Sequence, residues 1–291
     1  MDLITHYMAL VHNTQTSKIW CSFNDFYSQR GIGDGEFELE FLQDDLYRAA
    51  LTVGKGSFDE VFRIPYYSKY EIEFRIDMVR AFLNLEGEHV KRSEAFYLLD
   101  PSEKGAINYF IGMIFSQSIA TSRLNVIWLV HLDSYDKNQL EYTGENRKRP
   151  DFIGIRNDEE RIVLESKGWM TKKNDGIRNA LRQLRAVLSV EGEQNILKVA
   201  SILYERSSQL YLDIIDPKEK GLIKIFAGKS DYLKDYYSRV FNLLQGSKET
   251  VVIDDCIFVI RKVNCKFLEI GLLKDVYDII NETVKNENNK G

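Results

Sequence analysis

Three residues that lie close together in the chain have side chains suited to hydrolytic chemistry. They are Asp151, Glu165 and Lys167, in the stretch RPDFIGIRNDEERIVLESKGW from Arg149 to Trp169. The stretch reads as two short apolar strands, Phe152–Ile155 and Arg161–Leu164, joined by the polar turn Asn157-Asp158-Glu159-Glu160. A hairpin centred on Asp158 pairs residues equally far from it on either side, so Asp151 faces Glu165. Directly opposed side chains have Cβ atoms roughly 4.5–5.5 Å apart, and like charges at that separation repel. Two acids in a hairpin apolar enough to be buried therefore need a cation between them. Glu165 and Lys167 are two apart and point to one face of a strand. Two acids and a lysine converge on one place. A buried ion pair, Glu165–Lys167 or Asp151–Lys167, is the plainest use of such a set.

The flanking sequence supplies elements that would hold the hairpin. Asp100-Pro101-Ser102-Glu103 opens a helix with a capping box, an Asp cap followed by Pro in the first turn and Glu three residues on. Its body, GAINYFIGMIFSQSIA, is apolar on nearly every face and belongs in the interior, with Gly112 marking close packing. Leu124–Leu132 is a continuous apolar run of strand length, with His131 as a packed residue at its end. Asp133–Asn146 is polar and reads as a loop leading into Arg147-Lys148-Arg149. Past Trp169, the loop Met170–Gly176 carries Lys172 and Lys173. A helix is predicted from Ile177 to about Val190, with Ile177, Leu181, Leu184 and Leu188 as its apolar stripe. Arg178, Arg182 and Arg185 form a basic stripe on an adjacent face. Leu197–Tyr204 and Gln209–Ile215 read as strands.

Elsewhere the signals are structural. In residues 1–95, Phe37–Phe41 and Tyr70–Phe74 alternate with period two and read as half-buried strands, and Met78–Leu85 as a short helix. The glycines Gly31, Gly33 and Gly35 are not followed by a helix with a phosphate-binding lysine, so GIGDGE is no nucleotide loop. Beyond residue 216 the pattern gives strands at Leu222–Phe226, Thr250–Arg261 and Lys266–Ile270. Helices are predicted from Asp231 to Leu244, capped by Ser230, and over Leu272–Val284, before the tail NENNKG at 286–291, read as disordered.

Composition narrows the classes. Four histidines and the three cysteines Cys21, Cys256 and Cys265, without metal-like spacing, disfavour zinc or histidine-base chemistry and predict a reduced, cytoplasmic protein. No apolar run reaches the roughly 18 residues of a membrane helix, so no membrane association is expected. A net charge of −5 argues against a general nucleic-acid glue, yet Glu145–Arg185 holds eleven Lys/Arg against seven Asp/Glu, a local +4. The positive balance gathers around the acids and lysine.

Residues 100–204 run helix, strand, strand with Pro150-Asp151, strand with Glu165-Ser166-Lys167, helix, strand. This order and these motif positions resemble the PD-(D/E)xK nuclease superfamily. The resemblance covers about a third of the chain and implies an α/β (α+β) fold: a restriction-endonuclease-like central mixed sheet flanked by helices, with an additional N-terminal α+β region. The organisation so implied is an N-terminal region over residues 1–95, a nuclease-like domain with a C-terminal extension over 96–285, and the tail. It implies a Mg²⁺ ion, or Mn²⁺ in its place, on Asp151, Glu165 and the Ser166 backbone carbonyl, with Lys167 at the attacking water. Glu103 stands where relatives often carry an additional acid ligand, and Gln183 where they hold a supporting polar residue. Lys172, Lys173, Arg178 and Arg182 would touch substrate phosphates.

The function expected on this resemblance is a metal-dependent endonuclease acting on DNA in restriction or phage defence, cutting as a homodimer. The alternative is a binding or assembly subunit of the same fold whose activity depends on, or resides in, a partner helicase or ATPase. RNA ranks below DNA as substrate, because the sequence displays no evident aromatic motif for stacking single-stranded bases.

Overall fold

The computed structural model describes residues 8–11, 15–26, 32–54, 61, 63–134, 140–141, 149–217, 223–226, 229–262 and 269–288. In chain order the N-terminal elements are β1 (Met8–Val11), β2 (Thr16–Asn24), β3 (Gly35–Leu42), α1 (Gln43–Thr52), α2 (Pro65–Phe82), β4 (Leu83–Asn84), β5 (Lys91–Arg92) and α3 (Glu94–Leu98). There follow α4 (Pro101–Arg123), β6 (Val126–His131), β7 (Leu140–Glu141), β8 (Phe152–Arg156), β9 (Arg161–Gly168), α5 (Asn174–Arg185), β10 (Val187–Val190), β11 (Leu197–Arg206) and β12 (Gln209–Ile215). The last are β13 (Ile223–Ile225), α6 (Lys229–Leu244), β14 (Thr250–Ile253), β15 (Cys256–Lys262), β16 (Glu269–Leu273) and α7 (Lys274–Asn288).

The fold is mixed α+β. Its centre is a seven-stranded mixed sheet in the order β3-β2-β12-β11-β9-β8-β6. β6, β8 and β9 form an antiparallel meander, and α5 then carries the chain across to β11, which runs parallel to β9. β12 returns antiparallel to β11, and β2 joins parallel to β12. Residues 16–24 and 35–42 thus extend the same sheet that holds the hairpin. A second, antiparallel sheet, β1-β16-β15-β14, and the short sheets β10-β13-β7 and β4-β5 lie outside it.

The hairpin forms in the anticipated register, with Phe152 opposite Leu164 and Ile155 opposite Arg161. β8 is buried along its whole length, which suits its FIGIR sequence to a central strand. One face of the sheet is covered by α4, where Ser116 Oγ lies 2.9 Å from Ser166 Oγ and 2.8 Å from Ser201 Oγ. The helix and strand approach so closely that a Cβ on Gly168 would lie 1.8 Å from the Asn108 carbonyl oxygen. A Cβ on Gly112 would lie 2.9 Å from the Gly168 nitrogen, so the close packing expected at Gly112 is present. The capping box at Asp100 and Glu103 is formed as expected.

Several expectations are corrected. Tyr70–Phe74 is not a strand but part of the 18-residue helix α2. Ile72, Ile76 and Val79 follow the helical period into the core, and that spacing prevails over the two-residue alternation. Met78–Leu85 is the end of this helix plus β4. The helix after Trp169 stops at Arg185, and Val187–Val190 is a strand whose branched residues pair with β13. Leu188 therefore leaves the apolar stripe. Thr250–Arg261 is a hairpin of two strands, turned by Asp254 and Asp255 at φ 47° and 65°. Leu140–Glu141 is a strand inside the expected loop, and α7 continues through residue 288, three residues into the expected tail. The expectations for Gly31, residues 135–139 and 142–148, Leu222, residues 263–268 including Cys265, and residues 289–291 lie outside the described residues.

Candidate active site

Asp151 enters β8 and Glu165 and Lys167 leave β9 at the same end of the hairpin. The two acids are knitted by reciprocal bonds: the Asp151 N–H donates to Glu165 Oε2 at 3.1 Å, and the Ser166 N–H donates to Asp151 Oδ2 at 2.9 Å. Lys167 Nζ is ion-paired with Glu165 and stands 3.9 Å from Asp151 Oδ2. The cation that the opposed acids require is, in this arrangement, the lysine ammonium. Glu165 is fully buried, whereas Asp151 and Lys167 remain partly open at the rim.

Electrostatics follow from this placement. Burial, reinforced by the Asp151 carboxylate, pushes the Glu165 carboxyl up to about 7, and Lys167 opposes that rise. Tyr109 on α4 lies next to the pair. Its hydroxyl is pushed up to about 12, first by burial and then by the charges of Asp151 and Glu165. Tyr109 was missed in the sequence because it sits in an otherwise apolar helix, where an isolated tyrosine reads as core.

The supporting residues divide. Gln183 reaches the hairpin: its Nε2 donates to the Arg149 carbonyl at 2.8 Å, fixing the backbone two residues before Asp151. Arg149 itself pairs with Asp133. Glu103 is exposed, and its Oε2 accepts from the Asp100 N–H at 3.2 Å, so the cap occupies it. Among the described residues no group of three or more His, Cys, Asp or Glu is placed to hold a metal, which leaves Glu103 outside the carboxylate pair. Lys172 pairs with the buried Asp213, whose Oδ1 also accepts from the Tyr204 hydroxyl at 3.2 Å. Lys173 precedes α5 and is exposed, Arg178 pairs with Asp175, and Arg182 Nη1 bonds Asn179 Oδ1 at 3.3 Å. The lysines and arginines expected at phosphates thus stand on the exposed loop and helix after β9, and Lys172, Arg178 and Arg182 each have an intramolecular partner. His131 is buried and meets Phe152 edge to face at 5.2 Å, as a packed strand-end residue should.

The arrangement brings two carboxylates together at the end of the hairpin with an ammonium against them. Among the described residues no helix is long and apolar enough to cross a membrane. Compared with known proteins, the chain matches no family model, no curated protein and no solved structure.

Proposed function

We propose that the protein is a metal-dependent nuclease that hydrolyses phosphodiester bonds of DNA, with Asp151, Glu165 and Lys167 as its catalytic set. The observation that carries this reading is the pair of carboxylates joined across the hairpin with the Lys167 ammonium against both. Their chemistry fits magnesium, which is commonly held by one or two carboxylates, keeps several waters and takes further oxygens from substrate phosphates. Asp151, Glu165 and the Ser166 carbonyl would hold the ion, and manganese would substitute for it. When bound, such an ion neutralises phosphate charge and lowers the pKa of a coordinated water. Lys167 orients the attacking water and keeps positive charge beside the phosphoryl oxygens. Gln183 positions the strand that carries Asp151.

The succession α4, β6, β8, β9, α5, β11, with β11 parallel to β9, supports a restriction-endonuclease-like core within residues 96–285. A role in restriction or phage defence and a homodimeric cutting form follow from that resemblance. The test is supercoiled plasmid and single-stranded circular DNA with Mg²⁺, each set against EDTA and against Glu165→Ala and Lys167→Ala. Cutting should be lost in all three controls. Identical background cleavage in every arm would sink the proposal.

The second reading, a binding or assembly subunit serving a helicase or ATPase, is favoured by one feature. Lys167 already neutralises Glu165, so the pair can persist as a structural ion cluster. That reading predicts little activity from the isolated chain and its recovery on adding a co-purifying ATPase.

A further inference from the structure

On α2, Tyr66, Tyr70 and Phe74 recur every four residues, so they stand in one line with a rise of about 6 Å between them. Their exposures are 63, 53 and 52 %. Tyr67 meets Tyr66 edge to face at 5.6 Å and widens the first step of the line. Soluble surfaces seldom set large rings in a row, and such rows mark contact sites. The line continues past the helix: Phe74 meets Phe110 at 6.2 Å, and Phe110 meets Tyr109 at 5.7 Å, both edge to face. Tyr109 belongs to the turn of α4, Asn108 to Gly112, whose backbone presses on Lys167 and Gly168. The row therefore runs from the start of α2 to the flank of the Asp151–Glu165 pair.

We propose that this row is a stacking track for an unpaired nucleic-acid strand that ends at the carboxylate pair. The substrate is then a strand with a single-stranded segment rather than an uninterrupted duplex. What happens at the end of the track rests on the nuclease reading; binding along it does not.

Three features select this occupant. Aromatic faces accept any base, each stack changing affinity by about fivefold to about 150-fold, whereas a duplex hides its base faces. The helix balances Lys69, Arg75 and Arg80 against Glu71, Glu73 and Asp77, and Arg75 is turned inward onto Glu71 and the Val53 carbonyl. The row is therefore no phosphate clamp, and binding on it should depend only weakly on salt. It is also about one ring wide and leads to a reactive cluster, while a stable protein interface takes roughly 800 Å² a side.

The test is fluorescence anisotropy of the full chain in EDTA, where nothing is cut. The probes are fluorescein-labelled oligothymidine, oligouridine and a fully paired hairpin, the first two deciding between DNA and RNA. The wild type should bind one or both single strands more tightly than the hairpin. Tyr70→Ala and Phe74→Ala should each weaken that binding about fivefold or more, while Tyr70→Phe retains it. Single-strand affinities equal in wild type and both alanine variants would overturn the track. So would loss of self-association in the alanine variants without loss of oligonucleotide binding, because the row would then be an interface between copies. Glu165→Ala separates the two readings, since it should abolish Mg²⁺-dependent cutting yet keep oligonucleotide binding. Track variants that weaken binding to a protein that never cuts leave the track standing and remove the nuclease. Cutting that needs Glu165 but ignores every track variant does the reverse.

Discussion

Lys167 competes for the position a metal ion would take. Its ammonium sits against Glu165 and 3.9 Å from Asp151 Oδ2, so an incoming divalent ion meets a positive charge already in place. Two unit charges about 4 Å apart interact by about 4 kcal/mol at an effective dielectric of about 20, and a divalent ion doubles that repulsion. Lys167→Met should therefore bind Mn²⁺ roughly tenfold or more tightly, by titration calorimetry, while strand cutting falls by about 10²-fold or more. Unchanged Mn²⁺ affinity would mean that the lysine and the metal do not share the site. Glu165 offers a second test through pH. A carboxyl raised in the folded state costs nothing below its ordinary value of 4.5 and its full penalty above about 7, so the penalty grows as pH rises between them. Glu165→Gln carries no such penalty. Relative to that variant, the metal-free wild type should lose on the order of 3 kcal/mol of stability between about pH 5 and about pH 8. Urea unfolding in EDTA at the two pH values checks this, and a pH-independent difference would mean that Lys167 cancels the burial cost.

At the scale of elements, the hairpin was the most legible part of the molecule. Its apolar runs, polar turn and symmetry about Asp158 determine register, and register alone brings Asp151 to Glu165. The capping box and the apolar helix behind it were readable for the same reason, because their signals are local. α2 was not readable, since YEIEF satisfies both a two-residue and a 3.6-residue period, and only the partners of Ile72, Ile76 and Val79 decide between them. That ambiguity hid the exposed ring line. The pairing of Lys172 with Asp213 was not readable either, because Asp213 lies on a strand 41 residues on, which no local pattern connects. The contact between α4 and β9 supplies the prediction at this scale. A methyl group at Gly168 would meet a backbone carbonyl, which cannot swing aside, so Gly168→Ala should cost about 3 kcal/mol or more and disturb Lys167 next to it. Gly105, on the same helix, has open space around it, and Gly105→Ala should instead stabilise by roughly 0.5–1 kcal/mol. Thermal melts of the two variants should move in opposite directions.

For the whole molecule, the question is whether residues 96–285 can stand alone. β2 lies parallel to β12 from Trp20 opposite Tyr211 to Asn24 opposite Ile215, so the N-terminal strands complete the sheet on that side. The rings of Tyr204, Tyr211, Trp20 and His89 stack in succession at 5.8, 6.3 and 5.3 Å, crossing β11, β12 and β2 to the segment before β5. On the helical side, Arg239 of α6 is buried beside Glu71, and Asn242 Nδ2 donates to the Pro65 carbonyl at 3.0 Å. Arg92 ties its Nη2 to the Trp169 carbonyl at 2.8 Å, immediately after the strand that carries Glu165 and Lys167. A chain beginning at residue 96 would keep the Tyr204–Tyr211 stack and lose all the other contacts at once. It would expose β12 as an unpaired edge and leave the buried Arg239 without Glu71. Such a truncation should not unfold cooperatively, and size-exclusion chromatography should find it aggregated, whereas the intact chain gives one sharp melt. A truncated chain that melts cooperatively and keeps Glu165-dependent cutting would make residues 96–285 an independent domain and reduce the N-terminal strands to an accessory.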